Sequence, residues 1–225
     1  MRIVLPSGST AELARPSGPV RRGLVVSADI FGLRPLYDEL CTRLAHEYQA
    51  VVVAPDPFPG HEPGPSIEAR QALVPQRTDE RSCRDLLDAA DLAGAGAVER
   101  EVLPVSLIGF CLGGMYCHKA APLGRFHRIV SFYGMIRLPE PWRSDNQEEP
   151  LSCLRRGGAS TVLAIIGERD HYTPADAVDE LAATGVTVVR YPDAEHGFVH
   201  DASRPAHRPA DAADAWQRCR AWIDS

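Results

Sequence analysis

Apolar residues follow two rhythms along this chain. Short unbroken runs rich in Val and Ile recur at 23–28, 49–55, 104–108, 129–134, 160–166 and 186–191. Runs of that length, bounded by Gly, Pro and Asp, predict strands buried on both faces, as in parallel sheets. Between them the apolar positions fall every three or four residues. Leu36, Leu40, Leu44 and Tyr48 form one such stripe, opened by Pro35, and Leu86, Leu87, Ala90 and Ala93 form the inner face of a helix over 78–97. Further helices are expected over 173–184, opened by Pro174, and over 209–223. Residues 1–5 and 10–15 read as a hairpin around Pro6-Ser7-Gly8. Strands alternating with helices define an α/β fold, a mostly parallel twisted sheet with helices on both faces. A chain of 225 residues buries one substantial core, so a single domain over 1–225 is expected.

Two stretches break the alternation. Residues 56–66 are rich in Pro and Gly and predict a surface loop, with the His61-Glu62 pair in solvent. Residues 137–158 are polar, carry prolines and arginines, and predict an insertion or flap close to the site.

The candidate chemistry sits at the ends of three apolar runs. The run at 104–108 passes directly into Gly109-Phe110-Cys111-Leu112-Gly113-Gly114. Small residues there predict a sharp turn into a helix, which lifts Cys111 above the sheet and sets the first helical amides beside its sulfur. Serine hydrolases carry G-x-S-x-G at such a turn, and here sulfur replaces oxygen. The run at 160–166 ends in Gly167-Glu168-Arg169-Asp170-His171, and that at 186–191 ends in Pro192-Asp193-Ala194-Glu195-His196-Gly197-Phe198. Parallel sheets gather catalytic groups at the carboxyl ends of their strands. Cys111, Asp170 and His196 are therefore expected on one rim, as nucleophile, acid and base. That chain order is the one found in α/β-hydrolases. Tyr133 and Phe198 also follow elements on this rim and are candidate pocket residues.

Composition narrows the function. A net charge of −6 lacks the basic face that nucleic-acid binding requires. No apolar stretch approaches a membrane span, and the first residues lack a leader pattern, so a cytoplasmic protein without membrane or nucleic-acid partners is expected. The six cysteines show no C-x-x-C spacing, which predicts free thiols and no structural zinc. His196, His200, His207 and Asp201 could make a metal site only on a helix, and Gly197 and Pro205 oppose one. No metal, no cofactor and no assembly beyond a monomer or weak homodimer are expected.

Four stretches together resemble the dienelactone hydrolase family, a branch of the α/β-hydrolase fold: Asp29-Ile30-Phe31-Gly32, Gly109-Phe110-Cys111-Leu112-Gly113-Gly114, Asp170-His171-Tyr172-Thr173-Pro174 and His196-Gly197-Phe198. The resemblance runs from about Val25 to the last helix. It implies hydrolysis of small carboxylic esters or lactones through a cysteine thioester, with Cys111, Asp170 and His196 as the triad. It also implies that the backbone amides of Ile30 and Leu112 form the oxyanion hole. The family's first motif resembles E-x-F-G, whose acid helps activate the thiol; Asp29, one methylene shorter, occupies that position. The family's substrate-holding Arg residues correspond to His200 and to Arg81 or Arg84. The alternative is a non-catalytic binding protein that kept the hydrolase fold.

Overall fold

The computed structural model describes residues 1–61, 64, 66–95 and 102–225. Its frame is an eight-stranded sheet in the order β1-β2-β4-β3-β5-β6-β7-β8. The strands are β1 (Arg2–Val4), β2 (Thr10–Ala14), β3 (Arg22–Ser27), β4 (Ala50–Pro55), β5 (Val105–Phe110), β6 (Ile129–Phe132), β7 (Val162–Gly167) and β8 (Thr187–Tyr191). β2 runs antiparallel to both β1 and β4, and every later pairing is parallel. β4, β5 and β7 are buried along their whole length, which is why they read as continuous apolar runs rather than alternating ones.

Helix α1 (Pro35–Tyr48) packs on β2 and β4, and α7 (Pro209–Asp224) on β6 and β7. Helices α3 (Asp79–Gly94) and α4 (Leu112–Ala120) pack on β3 and β5, with α5 (Pro150–Arg156) against α4. Helix α6 (Ala175–Ala183) precedes β8, and a short α2 (Ile67–Leu73) follows the Pro-rich loop. The helix expected over 78–97 ends at Gly94 among the described residues; Gly96, Ala97 and Glu62 lie outside them.

Residues 137–158 do not form a flap. They fold into a turn at Glu140–Trp142 and into α5, with Leu138, Trp142, Leu151 and Leu154 buried. Glu148 N–H donates to Asp79 Oδ2 at 2.7 Å and Gln147 Nε2 to the Val74 carbonyl at 2.7 Å, which fastens the segment to α3 and to the turn after α2. The segment's polar Gln147 serves one of these long-range bonds and its backbone the other, so a polar stretch read as an insertion or flap is packed into the fold.

The strand order positions the site. From β3 the chain first moves outward to β4, then crosses back through α3 to β5 on the other side of β3. Loops at such a reversal diverge and leave a crevice at the carboxyl ends of the strands. The segments after β3, β5, β6, β7 and β8 therefore stand side by side.

Candidate active site

Cys111 follows β5 in a left-handed conformation, φ 55° and ψ −115°, which an L side chain adopts at a cost. The turn depends on close backbone approach. A Cβ on Gly113 would lie 2.0 Å from the Ser27 carbonyl oxygen, and one on Gly109 would lie 2.3 Å from that of Gly113. Without side chains at these positions the first turn of α4 abuts the end of β3. The thiol then sits in the field of the helix N-terminus, and the Leu112 amide, at the first helical position, has no intrahelical acceptor. Cys111 is 7% exposed.

The segments after β7 and β8 are zipped together. Glu168 N–H donates to the Tyr191 carbonyl and Arg169 N–H to that of Ala194, each at 3.0 Å. Buried Asp170 accepts the Tyr172 amide on Oδ1 at 2.8 Å and holds His196 Nδ1 on Oδ2 at 2.7 Å. The imidazole is held edge-on between Tyr133, at 5.2 Å between ring centres, and Tyr172, at 4.9 Å. Its Nε2 has no hydrogen bond of good geometry among the described residues, and the nearby group that interacts with it is the Cys111 sulfur. Such bonds commonly tighten only when substrate arrives. Burial opposes charge on His196, but the Cys111 sulfur and then Asp170 outweigh it and raise the imidazole to about 10. The arrangement favours the protonated imidazole.

Asp29 is placed differently from the expectation that it approaches the thiol. Its Oδ1 accepts the Phe31 amide at 2.9 Å and Arg34 Nη1 at 2.8 Å; its Oδ2 accepts Arg34 Nη2 at 3.0 Å and His200 Nε2 at 2.8 Å. Four donors fill the acceptor capacity of a carboxylate, leaving no lone pair for a thiol proton. Burial alone would raise this carboxyl, yet the bonds from His200 and Arg34 hold it down at about 2. The shorter side chain is thus drawn to a guanidinium rather than to sulfur. Ile30, next in sequence, has its amide without a partner among the described residues. The neighbouring amides are occupied, that of Asp29 by the Tyr37 hydroxyl at 2.7 Å and that of Phe31 by Asp29.

The candidate substrate-binding residues are buried, exposed or bonded to other side chains. Arg81 is held by Asp85 at 3.1 Å and by Ser9 at 2.8 Å on α3, and Arg84 is exposed on the same helix. Helix α2 intervenes in the sequence, and its Arg70 is the cation brought to the rim, donating to the Phe31 carbonyl at 2.8 Å. Phe198 is fully buried against Tyr191 and Tyr133 and serves the core. His200 is also buried, bonded through both nitrogens, and Tyr133 is covered completely. The cleft beside His196 is lined instead by Arg169, His171, Tyr172, Glu195, Arg204 and Pro205. Arg204 has no carboxylate partner among the described residues. Its sequence signal was faint, a cation eight positions after the candidate base in a segment with no periodicity. Among the described residues, no three His, Cys, Asp or Glu side chains are grouped to hold a metal.

A mostly parallel sheet with a strained strand-to-helix turn carrying the candidate nucleophile, and with Asp and His on the next rim segments, defines an α/β-hydrolase. Residues 10–225 match the dienelactone hydrolase family, and the chain belongs to it; it is a hydrolase of the lactone and ester kind. A Synechocystis sp. protein named "putative carboxymethylenebutenolidase" is 32% identical over 212 residues, covering 88% of this chain and 83% of its own. The carboxymethylenebutenolidase of Rhodococcus opacus is 29% identical over 204 residues, covering 87% and 77%. The crystal structure of a "putative dienelactone hydrolase" from Klebsiella pneumoniae superposes with a TM-score of 0.85 at 26% identity, over 100% of this chain and 98% of that one. No helix among the described residues is long and apolar enough to cross a membrane.

Proposed function

We propose that this protein hydrolyses small carboxylic esters or lactones through a thioester on Cys111. The observation that carries the reading is the His196 imidazole, fixed through Nδ1 by Asp170 at 2.7 Å with its Nε2 left to the Cys111 sulfur. His196 holds the thiol proton, and the thiolate attacks the carbonyl carbon. The resulting oxyanion is received by the Ile30 and Leu112 amides. The C–O bond to the leaving group then breaks, and the departing oxygen takes the proton from His196. Water next gives a proton to His196 and adds to the thioester carbonyl. The C–S bond breaks, and the acid leaves with the thiol restored. Asp170 keeps Nδ1 protonated throughout and stabilises the imidazolium.

The substrate is proposed to be an anion. Arg204 supplies at the mouth a guanidinium with no carboxylate partner among the described residues, and the same cleft is lined by His171, by Glu195 and by Arg169, which pairs with Asp193 at 2.6 Å. A carboxylate-bearing lactone of the kind named for the relatives fits that charge. The test is Cys111→Ala assayed on a short aryl ester and on a carboxylate-bearing lactone. Loss of activity by about 10³-fold or more is expected for a nucleophile of this kind. Full activity in the variant would overturn the assignment.

A further inference from the structure

His200 is the titratable group of this site that ester hydrolysis leaves unused. Its ring lies on Phe110, with centres 4.5 Å apart. Nδ1 meets the Tyr133 hydroxyl at 2.5 Å, and Nε2 meets Asp29 Oδ2 at 2.8 Å. Two structures of unusual constraint lie at the ends of this chain of bonds.

At one end, Tyr133 has φ +40°, a conformation that persists only where the surroundings enforce it. Its amide is pinned to the Ile165 carbonyl at 2.8 Å and its hydroxyl to His200, and the ring so held forms one wall of the His196 slot. At the other end, Asp29 brackets Ile30: its amide donates to the Tyr37 hydroxyl, and its carboxylate accepts the Phe31 amide. Arg34 clamps that carboxylate with both Nη atoms, and Arg70 holds the Phe31 carbonyl from the other side. The Ile30 N–H therefore points where Asp29 directs it.

We propose that His200 is a positioning residue: through Tyr133 and Asp29 it keeps the His196 imidazole in register with the Ile30 amide, without touching substrate. The inference rests on the roles of Cys111, His196 and Ile30 given above. Both ends matter at the same instant, because the base must release its proton while the oxyanion is held. A displacement of about 1 Å at either end costs on the order of 10²-fold in rate. The bonding also explains why Asp29, saturated by four donors, takes no proton from the thiol.

The experiment compares Tyr133→Phe, His200→Leu, His200→Gln and the Tyr133→Phe/His200→Leu double variant on a short aryl ester. Active sites are counted by iodoacetamide labelling of Cys111, so that kcat is expressed per competent thiol, and Cys111→Ala is run alongside. Each of Tyr133→Phe and His200→Leu is expected to lower kcat per thiol by about 10- to 100-fold with KM within about twofold. His200→Gln, which keeps a donor toward Asp29, is expected to recover part of the loss. The double variant is expected to be no slower than the slower single one, because both changes cut the same chain of bonds. A purely structural role would reduce the number of labelled thiols and leave kcat per thiol unchanged, which overturns the proposal, as do additive losses in the double variant. Activity retained by Cys111→Ala overturns the thioester reading instead.

Discussion

Two histidines four positions apart, His196 and His200, each bond a buried aspartate, at 2.7 Å to Asp170 and 2.8 Å to Asp29. Tyr133 touches both, with ring centres at 5.2 and 5.9 Å. On the proposed mechanism, only one pair takes part in proton transfer. The far nitrogen of His196 is left to a sulfur, whereas the far nitrogen of His200 is plugged by the Tyr133 hydroxyl. Asp170 accepts from the Tyr172 amide and His196, whereas Asp29 also takes both Nη atoms of Arg34. A His–Asp pair acts as a base only where its outer nitrogen meets a reacting atom. Where every lone pair and proton already has a partner, the same two residue types become a brace.

Replacing each aspartate separates the two roles most sharply. Asp170→Asn should reverse the His196 tautomer and lower kcat on an aryl ester by about 10³- to 10⁴-fold, with a smaller shift of the denaturant midpoint than Asp29→Asn produces. Asp29→Asn should do its principal damage to folding, since it removes the bidentate partner of the partly buried Arg34 guanidinium and leaves it only the longer ion pair to Asp201 at 3.4 Å. A loss of about 3 kcal/mol, read from urea unfolding, is expected. If the two variants showed the same balance of activity and stability, the contrast between the pairs would collapse.

The same contrast extends to pH. Asp29 is held down at about 2, below its ordinary value near 3.8, so its contribution to stability is complete above pH 4 and lost as the pH falls toward 2. Asp29→Asn should flatten that part of an acid-unfolding curve. A smaller effect is expected at the mouth: Arg204→Ala should raise KM about tenfold for a carboxylate-bearing lactone and leave a neutral ester unaffected. Equal effects on both substrates would remove Arg204 from anion recognition. The mildest signature is alkaline. His196 is raised to about 10 from 6.5, so the stability it adds is complete below pH 6.5 and lost as the pH climbs toward 10. Cys111→Ala removes the sulfur that, ahead of Asp170, raises it. Thermal unfolding across that range should therefore slope less in the variant than in the wild type.

Much of the frame was legible because it rests on local patterns. The continuous apolar runs are strands in a mostly parallel sheet, although the last of them, β8, lies at the sheet edge and is only partly buried, and the glycines around Cys111 are required by contacts as short as 2.0 Å with the Ser27 carbonyl. Helices α2 and α5 escaped notice because each spans only seven residues, too short for a periodic stripe to emerge from a Pro-rich or polar stretch. Arg70, which the unseen α2 brings to the Phe31 carbonyl, was missed for the same reason. His200 could not be read as a brace from its surroundings in sequence, for its partner Asp29 lies 171 positions away.

What the order of residues determined by itself was the alternation of buried strands with amphipathic helices, the sharp turn at Cys111, and the placement of Asp170 and His196 just beyond strands. These follow from hydrophobic period, backbone permissiveness and chain order, which are properties of neighbours. Tertiary structure alone decided which imidazole is left open and which is closed, and which of two dozen cations stands beside the cleft with no carboxylate partner among the described residues. A hydrogen bond saturates an atom only when its partner arrives, and here the partners come from strands far apart in the chain.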